Sequence, residues 1–228
     1  MRSRFLPAVV LAGACIGAPM AASPAAAAIA SWTDWQTSGT DTAAGTLMVG
    51  ATSVGVTYSG PYSFVQTSGG TNYWVPSAPY ISATVSNAPP DSDIVALSPG
   101  SPPTKTITFS QAVVDPLIAL VSWNSNVVDF GTPIEILSYG AGYWGSGTPV
   151  LNAAGTGFVG SGEVHGVIRL PGTFTSISFT DTSEGWHGFT VGVLGVASPP
   201  TGVPEPASFA LLGLGLAGLL AARRSRRA

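Results

Sequence analysis

The central part of the chain alternates short apolar or β-branched runs with stretches rich in Gly, Pro, Asn, Asp and Ser. A period of two recurs, most clearly at 106–109 and 176–179, whereas no 3.6-residue amphipathic pattern extends over a helix length. A period of two sends alternate side chains to opposite faces of a strand. Strands are therefore predicted at 46–58, 80–86, 104–110, 117–123, 134–138, 163–170, 173–181 and 186–196.

These strands and the turn residues between them predict an all-β fold for residues 31–197. Eight short strands separated by turn signals favour a β-sandwich with a jelly-roll-like connectivity. The run 117–121 is continuously apolar, which is typical of a strand buried on both faces. We expect it near the middle of a sheet.

The N-terminal 30 residues have the pattern of a secretory signal peptide with a helical apolar core. Arg2 and Arg4 precede an apolar stretch at 5–16. Ala28 and Ala30 then supply the small residues that signal peptidase requires at positions −3 and −1, which predicts cleavage before Ser31. The alanine-rich run 21–28 also allows an earlier cut.

Cys15 is the single cysteine of the chain, and it lies within the predicted signal peptide. Residues 12–15 form a degraded lipoprotein box that lacks the usual leucine, so lipidation of Cys15 remains an alternative. If the signal peptide is removed, the mature protein has neither a disulfide nor a free thiol.

The C-terminus carries three successive features. The motif Val203, Pro204, Glu205 and Pro206 precedes sixteen uncharged, mainly apolar residues at 207–222, and the chain then closes with a cluster of arginines, Arg223, Arg224, Arg226 and Arg227. A helix of sixteen residues is about 24 Å long, which is short for a hydrocarbon core of about 30 Å. The arginines would hold its end in the cytoplasm. The pattern predicts a marginal transmembrane helix whose stop-transfer signal is the arginine cluster.

This order of parts over residues 203–228 resembles the PEP-CTERM sorting signal of Gram-negative bacteria. The resemblance implies recognition by exosortase, a membrane-embedded transpeptidase-like enzyme, with cleavage near the Pro-Glu-Pro motif. It further implies transfer of the protein to the cell surface or to exopolysaccharide. The two prolines flanking Glu205 prevent a regular helix or a paired strand, so the motif is expected as an extended peptide. Residues 198–202 form a Pro-rich linker ahead of it.

The charge distribution excludes one class of partner. Only 8% of the residues are charged, compared with about a quarter in average globular proteins. Residues 31–197 contain two basic and ten acidic residues, a net charge of −8. Nucleic-acid binding depends on Lys and Arg at the phosphates, so no nucleic-acid partner is expected.

Both histidines have structural explanations from sequence. His165 shares one predicted strand face with Glu163 and Arg169, which is interpreted as the solvated face. His187 and Glu184 could share a metal ion, but a zinc site needs three or four ligands and no others can be named. No metal site is therefore predicted at either histidine.

Other chemistry is only weakly indicated. Asp91 and Asp93 form a candidate calcium pair, although a polar turn after the two prolines at 89–90 is the favoured explanation. No serine lies in a nucleophile elbow, neither glycine-rich stretch continues as a phosphate loop, and no pair of carboxylates is singled out for glycoside hydrolysis. No cofactor is predicted beyond the calcium alternative.

Two aromatic pairs, Tyr73-Trp74 and Tyr143-Trp144, lie in Gly- or Ser-flanked loops. Exposed aromatic rings stack well on the C–H faces of sugars, so Trp74 and Trp144 are candidate ligand platforms. Adjacent residues of an extended segment point to opposite faces, so at most one ring of each pair is expected in the same core.

The sequence therefore predicts a non-catalytic structural or adhesive β-sandwich, exported and sorted to the surface or extracellular matrix. Its expected partners are signal peptidase, exosortase, the membrane through the transient C-terminal helix, and exopolysaccharide. One alternative is a carbohydrate-binding module. The other is a hydrolase of matrix polymers, which would require residues such as Glu163, His165, Asp181 and Glu184 to converge in a cleft.

Overall fold

The computed structural model describes residues 26–90, 92–98, 104–182 and 185–197. Within these ranges the protein is all-β, as predicted, with sixteen strands and one short 3-10 helix, Ala78–Tyr80. None of the described residues forms a helix that is long and apolar enough to span a membrane.

The first eight strands are β1 (Ser31–Trp32), β2 (Asp34–Gly39), β3 (Thr42–Val49), β4 (Thr52–Ser59), β5 (Phe64–Gln66), β6 (Ile94–Leu97), β7 (Lys105–Val114) and β8 (Leu117–Val121). The remaining eight are β9 (Val127–Asp129), β10 (Glu135–Gly140), β11 (Gly147–Leu151), β12 (Gly157–Gly162), β13 (His165–Arg169), β14 (Thr173–Phe179), β15 (His187–Val193) and β16 (Gly195–Val196).

The strands form three antiparallel sheets. The largest has seven strands in the order β10-β13-β8-β15-β6-β5, with β1 also paired to β15. A six-stranded sheet has the order β14-β7-β4-β3-β2, with β16 also paired to β7. The third sheet has the order β11-β12-β9.

The two large sheets pack face to face around the main core. Tyr58 of β4 meets Phe189 of β15 edge to face, with ring centroids 5.5 Å apart. Trp35 of β2 donates its indole N–H to Thr190 Oγ1 at 3.1 Å. Two antiparallel sheets joined in this way are consistent with the predicted β-sandwich. The jelly-roll connectivity stays a prediction.

The outer face of the seven-stranded sheet is covered as well. Leu117, Ala119 and Val121 of β8 point into a second hydrophobic cluster together with Trp74 and Tyr80. Every residue of β8 is buried, so the expectation of a central strand from the apolar run is confirmed. The covering layer is largely irregular, since between β5 and β6 the described chain forms only the 3-10 helix and an isolated bridge at Val85.

Two predicted strands were wrong. The segment 46–58 is not one strand but parts of β3 and β4, which pair as a hairpin around Gly50. Gly50 has φ +59°, a left-handed conformation that glycine adopts without strain. The segment 80–86 contains the end of the 3-10 helix and no strand. Its apolar residues pack against the sheet as irregular chain.

Several predicted features lie outside the described residues. They include the apolar core of the signal peptide with Cys15, the acidic residues Asp91 and Glu184, and the linker. The whole sorting signal, with Val203, Pro204, Glu205, Pro206, Arg223, Arg224, Arg226 and Arg227, also lies there.

Candidate functional site: an aromatic cluster at the surface

The loop that connects β10 to β11 presents two aromatic residues at its tip. Gly142 and Gly145 close the loop, with the Gly142 N–H donating to the Gly145 carbonyl at 2.7 Å and the reverse bond at 3.4 Å. Tyr143 and Trp144 are the two residues between them. A two-residue tip cannot turn both side chains into the protein, and Trp144 is 52% exposed and Tyr143 40% exposed.

The tip rings join a cluster contributed by distant parts of the chain. Tyr73 from the covering layer lies 5.1 Å from Tyr143 and 5.1 Å from Trp186, measured between ring centroids. Trp144 lies 4.9 Å from Tyr143 and 6.3 Å from Trp186. These four residues, called here the aromatic cluster, form a closed circuit of edge-to-face contacts. Phe64 supports it from below, 5.7 Å from Trp186.

The edge-to-face arrangement fixes the orientation of the exposed rings. The interplanar angles around the circuit are 70°, 77°, 79° and 69°. Such pairs are favourable beyond the area that they bury, by about 0.5–1.5 kcal/mol each. The exposed indole of Trp144 is therefore held by its neighbours in a defined orientation.

A polar group borders the cluster. Glu163 donates its backbone N–H to the carbonyl of Ser146 at 3.2 Å, which places it directly behind the loop. Its carboxylate accepts hydrogen bonds from Ser122 Oγ and from Asn124 Nδ2. Ser122 and Ser125 both have positive φ, 58° and 50°, which is uncommon for residues other than glycine. The backbone of the 122–125 turn thus brings the side chains of Ser122 and Asn124 to Glu163.

The loop rests on His165, and the predicted solvated face of this strand was wrong. His165 is fully buried in β13, because Tyr80 and the covering layer close the face that the alternation pattern had left open. The Tyr80 hydroxyl and His165 Nδ1 lie 3.3 Å apart. Burial lowers the pKa of His165 to about 4, although the charge of Glu163 partly opposes this shift. A Cβ on Gly142 would lie 2.3 Å from the imidazole, so only glycine allows the loop to pack this closely.

Trp74 does not belong to this surface, and its assignment as a ligand platform was wrong. Its side chain is 1% exposed and packs edge to face on Tyr80 at 5.3 Å. The neighbouring Tyr73 points the other way, into the aromatic cluster. Of the sequence-predicted platforms, only Trp144 is accessible. Trp186 and Tyr73 complete the cluster through contacts between segments that are far apart in sequence.

A separate cluster of charged side chains lies inside the sandwich. Lys105 at the start of β7 forms an ion pair with Asp181, and His187 Nε2 lies 2.6 Å from the other oxygen of the same carboxylate. Burial alone would raise the pKa of Asp181, but the hydrogen bonds from His187 and Lys105 outweigh it and hold this pKa below its usual value. His187 also packs edge to face on Trp123 at 4.6 Å. All three side chains are almost fully enclosed, so the cluster ties β7 and β15 to the segment that follows β14 and offers no surface to a substrate.

Of the two residues of the predicted calcium pair, Asp93 lies within the described part of the chain and Asp91 does not. This carboxyl is largely buried ahead of β6, and burial together with the nearby charge of Asp34 raises its pKa to about 7. The described residues contain no group of three or more His, Cys, Asp or Glu side chains that could hold a metal ion.

The comparisons with known proteins concern the C-terminal part of the chain. The family model for the PEP-CTERM protein-sorting motif matches residues 202–227. This match supports the predicted sorting signal, so the chain is similar to exosortase substrates, which are exported and anchored in the membrane before processing. No curated protein and no solved structure matches the chain.

Proposed function

We propose that this protein is a non-catalytic structural or adhesive β-sandwich that exosortase releases from the membrane to the cell surface or the extracellular matrix. The observation that carries the proposal is the PEP-CTERM motif at residues 202–227. A sorting tag of this kind is useful only on a protein whose folded part acts outside the cell. Cleavage near Pro204–Pro206 would separate the sandwich from its membrane helix.

The interior of the sandwich supports a role without catalysis. The Asp181–His187 pair is enclosed by the two large sheets. A general base must lie within hydrogen-bond reach of its substrate, and an enclosed pair has no such access. Glu163 is only half-buried, but the neighbouring His165 is fully buried, so these two side chains present no acid–base pair to a substrate. This burial favours an adhesive function over the hydrolase alternative.

The test is the intact mass of the protein from producing cells with and without exosortase. We expect the mass in wild-type cells to correspond to loss of the chain after the Pro-Glu-Pro region, and retention of 207–228 in cells that lack the enzyme. Retention in both strains would reduce the motif to a permanent anchor and contradict the proposal.

The carbohydrate-binding alternative has an observation of its own in the exposed rings of Tyr143 and Trp144. An adhesive protein in a polysaccharide matrix needs a surface that recognises sugar, and the aromatic cluster is the described surface with the appropriate chemistry.

A further inference from the structure

The aromatic cluster offers an exposed ring in a preset orientation, bordered by hydrogen-bonding groups. A pyranose ring has the complementary surface, since its C–H groups form an apolar face and its hydroxyls project around the edge. Trp144 can stack on the apolar face. Glu163, Ser122 and Asn124 lie on the same side of the molecule as the loop and can exchange hydrogen bonds with the hydroxyls.

The cluster is built to stay in place without a ligand. Each of its four rings contacts two others, and Phe64 contacts Tyr73 and Trp186 beneath them. The backbone of the loop is held by its two glycine hydrogen bonds and by the bond from the Glu163 N–H to Ser146. Binding of a ligand would therefore lose little side-chain and loop entropy, a loss that normally weakens binding.

The charges of the domain decide between neutral and anionic polysaccharides. The only basic residues between 31 and 197 are Lys105 and Arg169. Lys105 is buried against Asp181, and Arg169 is paired with Glu135. No other cation of this region is present to compensate a uronate or sulfate group, and the net charge of −8 repels such polymers.

We propose that the aromatic cluster, with Trp144 as the stacking residue and Glu163 as the positioning acceptor beside it, is a binding site for pyranose units of an uncharged polysaccharide. This inference rests on the proposed adhesive function and names its ligand class. A single exposed indole contacts about one sugar unit, so each contact is weak. Strong attachment then comes from many copies of the protein along one polymer.

The experiment is affinity electrophoresis of the purified full-length protein in gels that contain hydroxyethylcellulose, galactomannan or dextran, with alginate as the anionic comparison. We expect retardation by at least one neutral polymer and none by alginate. Trp144→Ala should weaken the retardation about tenfold, the loss expected for removal of one stacked ring. Glu163→Gln should weaken it less, because its amide retains one acceptor oxygen.

Tyr139→Ala is the matched control, since Tyr139 on β10 is 51% exposed and makes no ring contact with the cluster among the described residues. Its retardation should equal that of the wild-type protein. Trp144→Ala should also have the lower thermal midpoint of the two variants, because it loses two edge-to-face ring contacts. Trp144→Phe, which keeps an aromatic ring at this position, is therefore measured beside it and should restore part of the binding if stacking is its basis.

Three results would overturn the site: no retardation by any neutral polymer, retardation by alginate alone, or equal losses in Trp144→Ala and Tyr139→Ala. None of them bears on sorting, which the mass measurement in exosortase-deficient cells tests separately. A protein that is correctly processed but does not bind would disprove the site and leave the proposed sorting intact.

Discussion

Asn87 holds Ala30 through both atoms of its side-chain amide. Its Oδ1 accepts from the Ala30 N–H at 2.7 Å, and its Nδ2 donates to the Ala30 carbonyl at 3.0 Å. Two residues upstream, the Ala28 N–H donates to the Thr84 carbonyl and the Ala28 carbonyl accepts from the Ser86 N–H. Residues 28–30 are therefore part of the sandwich and fasten its first strand to the covering layer.

This arrangement favours the earlier of the signal-peptide cuts that the alanine run allows. Cleavage before Ala28, with Ala25 and Ala27 at positions −3 and −1, keeps all four of these hydrogen bonds. Cleavage before Ser31 removes them. We expect N-terminal sequencing of the exported protein to begin at Ala28 or upstream of it. An N-terminus at Ser31 would show that the fold does not need this segment.

Asn87→Ala should destabilise the domain by about 1–2 kcal/mol, because two part-buried hydrogen bonds are lost and the Ala30 backbone is left without these partners. Urea unfolding of the exported protein measures the change. Gln36→Ala is the control, since Gln36 makes two exposed side-chain bonds and its removal should have a smaller effect. Equal losses would mean that the Asn87 bonds contribute no more than surface contacts.

Among the described residues, the ion pairs Lys105–Asp181 and Arg169–Glu135 should differ sharply in their contribution to stability. Asp181→Asn leaves Lys105 buried without its counter-charge, which costs about 3–5 kcal/mol in comparable cases. Glu135→Gln breaks the more exposed pair with Arg169 and should cost less than about 1 kcal/mol. Denaturant unfolding of both variants at one pH gives the comparison. A small loss in Asp181→Asn would mean that water reaches the buried cluster.

The strands that the sequence predicted well are those in which local pattern and burial agree. The alternation at 106–109 and 176–179 falls in β7 and β14, and the apolar run falls in β8. The pattern failed where tertiary contacts decide the outcome. Gly50 is a local signal for the hairpin turn, but Gly45 and Gly55 of the same hairpin lie inside strands, so a glycine alone does not mark the turn. The irregular covering layer has no period, so the burial of His165 beneath it could not be predicted.

The candidate site was predictable only as far as local sequence patterns reach. Only one of Tyr73 and Trp74 enters the core, as expected, but the two residues lie in a turn and not in an extended segment. Which of the two is buried depends on the position of Tyr80. Trp144 was identified from its glycine-flanked loop. Its contact with Trp186 joins residues about forty positions apart, and no local pattern reports such a contact.

The buried His165 should contribute a loss of stability in mild acid. Its pKa is about 4 in the folded state and about 6.5 when exposed. Between these values the unfolded chain binds more protons, so stability falls as the pH drops from 6.5 towards 4, by up to about 3 kcal/mol, and changes no further below that. Asp93 has the opposite dependence over this range, so the quantity to compare is the change in unfolding free energy between pH 7 and 4.5 in the wild-type protein and in His165→Gln. The variant should lack the loss due to His165, whatever the cost of the substitution at neutral pH. Equal changes in the two proteins, measured by urea unfolding, would contradict the assignment.

Asp93 should act in the opposite direction. Its folded pKa is about 7 because it is buried and lies near Asp34, whereas its unfolded value is 3.8. Between these values the folded state binds more protons, so the contribution of Asp93 to stability is complete below pH 3.8 and is lost as the pH rises through 7. Asp93→Asn should therefore be more stable than the wild-type protein at pH 8, by about 1–3 kcal/mol, and nearly equal to it at pH 4. Asp34→Asn is the companion variant, since it removes only the neighbouring charge and should lower the Asp93 midpoint in a carboxyl NMR titration. A midpoint near 4 in the wild-type protein, or a loss of stability at pH 8 in Asp93→Asn, would show that the carboxylate is stabilised in the folded state.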